Sequence, residues 1–419
     1  MSSQQQPGGR RRVHPRLIVA CSLALLPLLL FQNCTKFDPS KALQTSLTPS
    51  PSPTPSTNPT PTPAPGATPT PTATPEVSRT SARVFISGHS LLWEPVGPNL
   101  VAIAASKGGS AKFNQQIMSG STILQRSRGN STEGSTQYAG YSTGFNRDWS
   151  TGLNIVNELN NPQTLGGDIY DTLILTERHD MLGSLQWQNT VKYLRHYHER
   201  MIQGNPQAQT YFYEAWLSHK RTKIPEWITY ERQTSLAWNC VAVRINHSLA
   251  AEGRSDRIKS LPAGAALAEL VHRATTSNVN GITGGTLDET LDRLFTDDVH
   301  LTPLAFYYVS LVTYAVVYSQ SPIGAAYPNG VTAAQAASLQ AIAQDYVSNY
   351  RNSFATRTLA QCQASMPDYC STYWNFDWAY SNNPGQIPSC RAWLMQQDSG
   401  NPFYYNATND ASYWLLAPN

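Results

Sequence analysis

The chain has 419 residues and a formal net charge of +3, with its 30 Lys and Arg nearly matched by 27 Asp and Glu. Its basic residues cluster only at the N-terminus, so no strong field draws it to nucleic acid, and nucleic-acid partners are not expected. The length allows more than one domain, but the front of the chain does not carry a foldable pattern.

Residues 1–34 combine the basic group Arg10-Arg11-Arg12 and Arg16 with an apolar run from Leu17 to Phe31 that stops before Cys34. A spanning helix needs about 20 apolar residues, and a shorter run fits the core of an export signal. Residues 35–78 form a stalk rich in Pro, Thr and Ser, with repeats such as Thr60-Pro61-Thr62-Pro63. Such a segment buries no core, and its most Pro-rich part, from about Ser46 to Pro75, favours extended polyproline II at about 3.1 Å per residue, giving a spacer of up to roughly 90 Å.

The folded body is expected over residues 79–357. Val84 to Ser87 predicts a short strand that breaks at Gly88 and delivers Ser90 just past the break. A helix is expected over Asn99–Lys107, and a second strand over Phe113–Met118, ending at Ser119-Gly120-Ser121. A Gly-, Ser- and Asn-rich stretch from about Arg126 to Trp149 is long for a connection, as functional or disordered loops are. Tyr170 to Thr176 is almost unbroken apolar sequence, as a strand buried on both faces of a parallel sheet requires, and it opens into Glu177-Arg178-His179-Asp180.

Helix over Trp187–Gln203, strand over Gln209–Glu214 and helix over Leu236–Ala251 follow. This alternation predicts a three-layer α/β/α fold with a central, mostly parallel sheet. Pro303 opens an apolar helix to about Tyr318, and another helix covers Ala333–Tyr350. Residues 358–419 shift to aromatics and cysteines and predict a small, stapled, loop-rich extension. There Trp374, Trp378, Tyr380 and Trp393 either form its core or offer a sugar-stacking surface. Cys240, Cys362, Cys370 and Cys390 allow three disulfide pairings, with the local pair Cys362 and Cys370 favoured.

A serine hydroxyl needs a base to take its proton, and the base needs a third group to fix its tautomer. Asp297 and His300 in Thr296-Asp297-Asp298-Val299-His300 suit those roles, with Asp298 the rival for Asp297. A competing metal site would draw on Asp297, Asp298, His300, Glu177 and His179; no metal and no cofactor is expected. His196, His198, His219, His247 and His272 have no evident partner in the sequence and are assigned to surface or packing.

Gly88-His89-Ser90-Leu91 resembles the first block of the SGNH (GDSL-type) hydrolases, with His89 where that family often has Asp, and Asp297-Asp298-Val299-His300-Leu301 resembles its last block. The resemblance covers about residues 82–350. It implies a serine esterase in which Ser90, His300 and Asp297 form the triad. The oxyanion hole would be the N–H of Ser90, the N–H of Gly120 and a side-chain donor from the third block. That third block departs from the family's Gly-x-Asn-Asp: the chain offers Glu177-Arg178-His179-Asp180 instead. An ionised Glu177 cannot donate, leaving His179 or Arg178 for the role, and a missing oxyanion donor costs about 2.7–4 kcal/mol of barrier. His89, Glu177, Arg178 and Asp298 are expected to line the site.

The N-terminus resembles a bacterial lipoprotein signal, which implies lipidation at Cys34, export and a membrane partner. Thr35 after the cysteine leans toward the outer membrane. The expected substrate is an O-acyl (acetyl) ester on a glycan or other small molecule. The alternatives are an O-acyltransferase using the same triad and a non-catalytic glycan-binding or adhesive lipoprotein.

Overall fold

A computed structural model describes residues 78–93, 95–128, 140–353, 357–376 and 382–414. The expected signal, Cys34 and nearly all of the stalk lie outside the described residues. In chain order the elements are β1 Ser81–Gly88, α1 Val96–Ser106, β2 Ser110–Ile117, α2 Ile123–Arg128, α3 Ile155–Asn160, β3 Thr172–Thr176, α4 Met181–Trp187, α5 Thr190–Gly204 and β4 Gln209–Tyr213. Then come α6 Ile224–Ala251, β5 Ile258–Leu261, α7 Ala263–Thr276, α8 Leu287–Leu294, α9 Pro303–Tyr318, α10 Ala333–Ser353, α11 Leu359–Asn375, α12 Ile387–Leu394 and α13 Asp410–Tyr413.

The five strands form one parallel sheet in the order β2-β1-β3-β4-β5. From β1 the chain steps outward to β2 through α1, whereas β3 to β5 step the other way through α5 and α6. Right-handed crossovers in opposite directions put α1 and α5 on opposite faces. The packing agrees: α9 lies against α1 and α7, while α5 lies against α2, α3 and α6. The fold is thus a three-layer α/β/α sandwich. β3, with all five residues buried, runs through its middle. Helix α9 is apolar on every side and is buried from Leu304 to Tyr318, as such a helix must be, with α10 covering it.

The extension is more helical than its composition suggested. Its helix α11 opens with a capping box at Thr358 and Gln361 and packs along α6. The disulfides are Cys240–Cys362, which bonds α11 to α6, and Cys370–Cys390, which bonds α11 to α12. The expected local pair Cys362–Cys370 is therefore corrected. Both lie on α11 eight positions apart, or about 12 Å along the axis, beyond the reach of one bridge. Trp374 and Trp393 pack against the core, consistent with a structural role; Trp378 and Tyr380 lie outside the described residues.

In a doubly wound sheet the crevice opens beyond the carboxyl ends of the strands where the winding reverses. Here that point lies between β1 and β3, so Ser90 and the Glu177–Asp180 segment emerge side by side.

Candidate active site

β1 must stop at a glycine. A Cβ on Gly88 would lie 2.9 Å from Leu92 Cβ and 3.1 Å from Thr176 Cγ2, so a side chain there would push apart β3 and the turn carrying the serine. His89 then caps a 3₁₀ turn, Ser90–Leu92. The Leu91 N–H donates to His89 Nδ1 at 3.4 Å, which leaves the proton on Nε2 to be donated to the Glu177 carbonyl at 2.9 Å. Burial, followed by the nearby Arg126 charge, pushes the His89 pKa well below the ordinary histidine value. His89 is thus a neutral strut between the ends of β1 and β3.

The structure brings Ser90, His300 and Asp297 together. Ser90 Oγ–H donates to His300 Nε2 at 3.0 Å, and His300 Nδ1–H donates to Asp297 Oδ2 at 2.6 Å. Asp297 Oδ1 accepts the N–H groups of Val299 and His300 at 2.8 and 2.6 Å. Burial opposes ionisation of Asp297, but those two N–H donors and the imidazole outweigh it and hold the carboxyl below its usual range. Asp298 is exposed and contributes its carbonyl, which accepts the His219 N–H at 2.8 Å.

The segment carrying Asp297 and His300 is fixed from several sides. Phe295 and Leu301 form an antiparallel bridge, and Thr302 caps α9 just beyond it. Trp216 Nε1–H donates to the Val299 carbonyl at 2.8 Å, and the His219 ring packs on Phe295 at 4.5 Å. A short loop held in this way keeps its imidazole aimed without help from substrate.

Gly120 sits at the end of β2 beside the serine turn: Gly88 pairs with Ile117, and Met118 N–H donates to the Gly88 carbonyl at 3.0 Å. Its φ of +66° is one that glycine adopts freely, and a Cβ there would meet nothing within 4 Å. Ser90 opens its 3₁₀ turn, where N–H groups have no partner inside the turn. His179 lies with its ring 6.2 Å from that of His89. Burial, then Arg178 and His300, lower its pKa to about 3, so it is a neutral imidazole able to donate one N–H.

Glu177 has a different role from any expected of it. Its carboxylate accepts from the Ile123 N–H at 3.1 Å, the Arg178 N–H at 2.7 Å and the Thr190 hydroxyl at 2.9 Å. It is wholly buried and pins the starts of α2 and α5 to the end of β3. Burial raises its pKa, and Arg126 is the main opposing influence. Its oxygens are therefore committed within the protein, and no group of three or more His, Cys, Asp or Glu side chains able to hold a metal gathers among the described residues.

Arg126, read from the sequence only as the start of a loop, is the hub that sequence analysis missed. Fully buried, it donates to Ser87 Oγ at 3.0 Å, to the Ser121 carbonyl and hydroxyl at 2.8 Å each, and to the Thr176 carbonyl. It thereby joins β1, the Gly120 turn and β3 beneath the site. Burial lowers its pKa to about 10 against the pull of Glu177. Among the histidines assigned to packing, His198 has partners after all: Thr210 at 2.8 Å and Asp256 at 2.7 Å.

No protein-family model matches the chain, and no curated protein does. Among solved structures, it is similar to a DUF4886 family protein from Bacteroides uniformis ATCC 8492. The identity is 14%, the match covers 64% of this chain and 95% of that one, and the TM-score is 0.43.

Proposed function

We propose that the protein is an exported, membrane-tethered serine esterase of the SGNH type that removes O-acyl groups, acetyl above all, from a glycan. The observation that carries this reading is the continuous hydrogen-bonded line from Ser90 Oγ through both nitrogens of His300 to Asp297. Its tautomer is the productive one. With the proton on Nδ1 held by Asp297, Nε2 is free to take the serine proton as Oγ attacks the ester carbonyl.

Oγ bonds to the carbonyl carbon and the carbonyl oxygen becomes an oxyanion, which the Ser90 and Gly120 N–H groups, with His179, would receive. Collapse of that intermediate expels the sugar alkoxide, which leaves with the proton held on His300. Water then attacks the acyl-enzyme, His300 takes its proton, and the second collapse returns that proton to Ser90 as the carboxylic acid departs. The His300 and Asp297 side chains are 42% and 49% exposed. A base so open to solvent favours water over a sugar acceptor and hence hydrolysis over acyl transfer.

The test is acetate release from an acetylated oligosaccharide. The wild-type chain releases acetate, and Ser90→Ala lowers the rate by at least about a thousandfold. A Ser90→Ala rate within a few-fold of wild type, or no release by either chain, contradicts the proposal.

A further inference from the structure

One feature beside the triad takes no part in the chemistry above. The chain after β2 returns as a short hairpin: Phe145 bridges Ile117 on one side and Thr151 on the other, extending the sheet past its β2 edge at the carboxyl end. Ile117 is the partner of Gly88, so Phe145 lies two strand spacings, about 10 Å, from the end of β1. Trp93 is the C-cap of the serine turn, three residues after Ser90. Three rings meet there. Trp93 and Trp149 have centroids 5.4 Å apart, Phe145 and Trp149 6.0 Å, and Trp93 and Phe145 6.4 Å.

The tip of the hairpin carries a strained residue. Trp149 has φ of +64°, left-handed backbone that glycine or asparagine would fill more cheaply. Its side chain gains little burial in return, being 45% exposed, and Phe145 is 36% exposed. The hairpin is nonetheless held firmly. Asn146 N–H donates to the Ser150 carbonyl at 2.9 Å, Ser150 N–H to Asp148 Oδ1 at 3.0 Å, and Arg147 N–H to Asn114 Oδ1 at 3.0 Å. Exposed apolar rings on a rigid, strained support with a polar rim mark a binding surface.

Resting on the esterase reading, we infer that Trp93, Phe145 and Trp149 form a carbohydrate subsite that stacks a sugar ring of the glycan next to the acylated one. A pyranose ring has an apolar C–H face and hydroxyl-bearing edges, which suits flat aromatic faces bordered by Arg147, Asp148 and Ser150. An acyl chain would call for an enclosed apolar groove, and these rings stand open. The about 10 Å offset from the strand that delivers Ser90 leaves room for the acylated residue between subsite and nucleophile.

The test separates binding from turnover by using the full chain carrying Ser90→Ala. Calorimetric titration with xylohexaose, cellohexaose and chitohexaose is expected to give binding to at least one. Adding Trp149→Gly, which removes the ring and suits the left-handed backbone, should weaken that binding by about tenfold or more. Because glycine relieves the strain, the melting temperature should not fall, so lost binding is not lost folding. Binding to none of the three, or binding that Trp149→Gly leaves unchanged, overturns the subsite. So does saturable binding of hexanoate that Trp149→Gly abolishes while the sugars do not bind, which would mark an acyl-chain site. Fluorophosphonate labelling of the wild type decides the esterase reading separately. A chain that binds sugar through Trp149 but takes no label keeps the subsite and loses the esterase.

Discussion

β1 and β3 are neighbours whose carboxyl ends deliver a serine and a glutamate to the same crevice, and the two residues are used in opposite ways. Ser90 reaches a partly open position where its hydroxyl donates to His300 Nε2. Glu177 is closed in, with its carboxylate spent on three donors and set against the buried Arg126. The lesson is that position at the sheet edge does not make a residue chemical. A group reacts when its hydrogen-bonding capacity is left for substrate, and it supports the fold when that capacity is taken up internally.

The comparison can be broken first on its reactive side. Asp297→Asn keeps the loop's shape but loses the charge that fixes the His300 tautomer. Turnover should fall by roughly 10³–10⁴-fold with little change in melting temperature; a drop of only a few-fold would mean that Asp297 is not the orienting group. The supporting side is tested by Glu177→Ala. The variant strands three donors and leaves Arg126 without its counter-charge, so unfolding in denaturant should show a loss of about 3 kcal/mol. A variant as stable as wild type but inactive would make Glu177 a chemical group after all.

A smaller effect sharpens the contrast farther from the crevice. Glu214, next to the end of β4, is buried beside a second buried carboxyl, Glu231. Burial pushes the Glu214 pKa up to about 8, although the Ser235 hydroxyl and the Ala265 N–H pull the other way. An acid whose pKa is raised by folding holds its proton more tightly in the native state. Its contribution to stability is therefore full below the unfolded value of about 4.3 and declines as pH rises toward 8. Glu214→Gln should flatten that decline, with unfolding free energy at pH 8 relative to pH 5 improved by about 1 kcal/mol or more. Identical pH slopes for the two chains would show that Glu214 does not titrate in this window.

Much of this was legible in the sequence because it was local. Asp297 and His300 sit three apart on one short loop, and Ser90 follows a strand-ending glycine, so chain proximity carried those assignments. The parallel sheet followed from apolar runs alternating with helices. What could not be read depended on distant partners. Glu177 meets Ile123 and Thr190, and Arg126 meets Ser87 and Thr176, contacts set only when three strand ends come together. β5 was missed because it is only four residues long, with Lys259 and Ser260 interrupting its apolar ends. The disulfides were misjudged because closeness along the sequence was taken for closeness in space, whereas a helix holds Cys362 and Cys370 apart.

The central claim is that His300 and Asp297 make Ser90 a nucleophile, and covalent labelling by a fluorophosphonate, with the modified residue located by peptide mass spectrometry, tests it most directly. The account predicts label on Ser90 of the wild-type chain, none on Ser90→Ala, and strongly slowed labelling of His300→Ala. Label at another residue, equal labelling of wild type and Ser90→Ala, or no labelling of the folded wild type would contradict it.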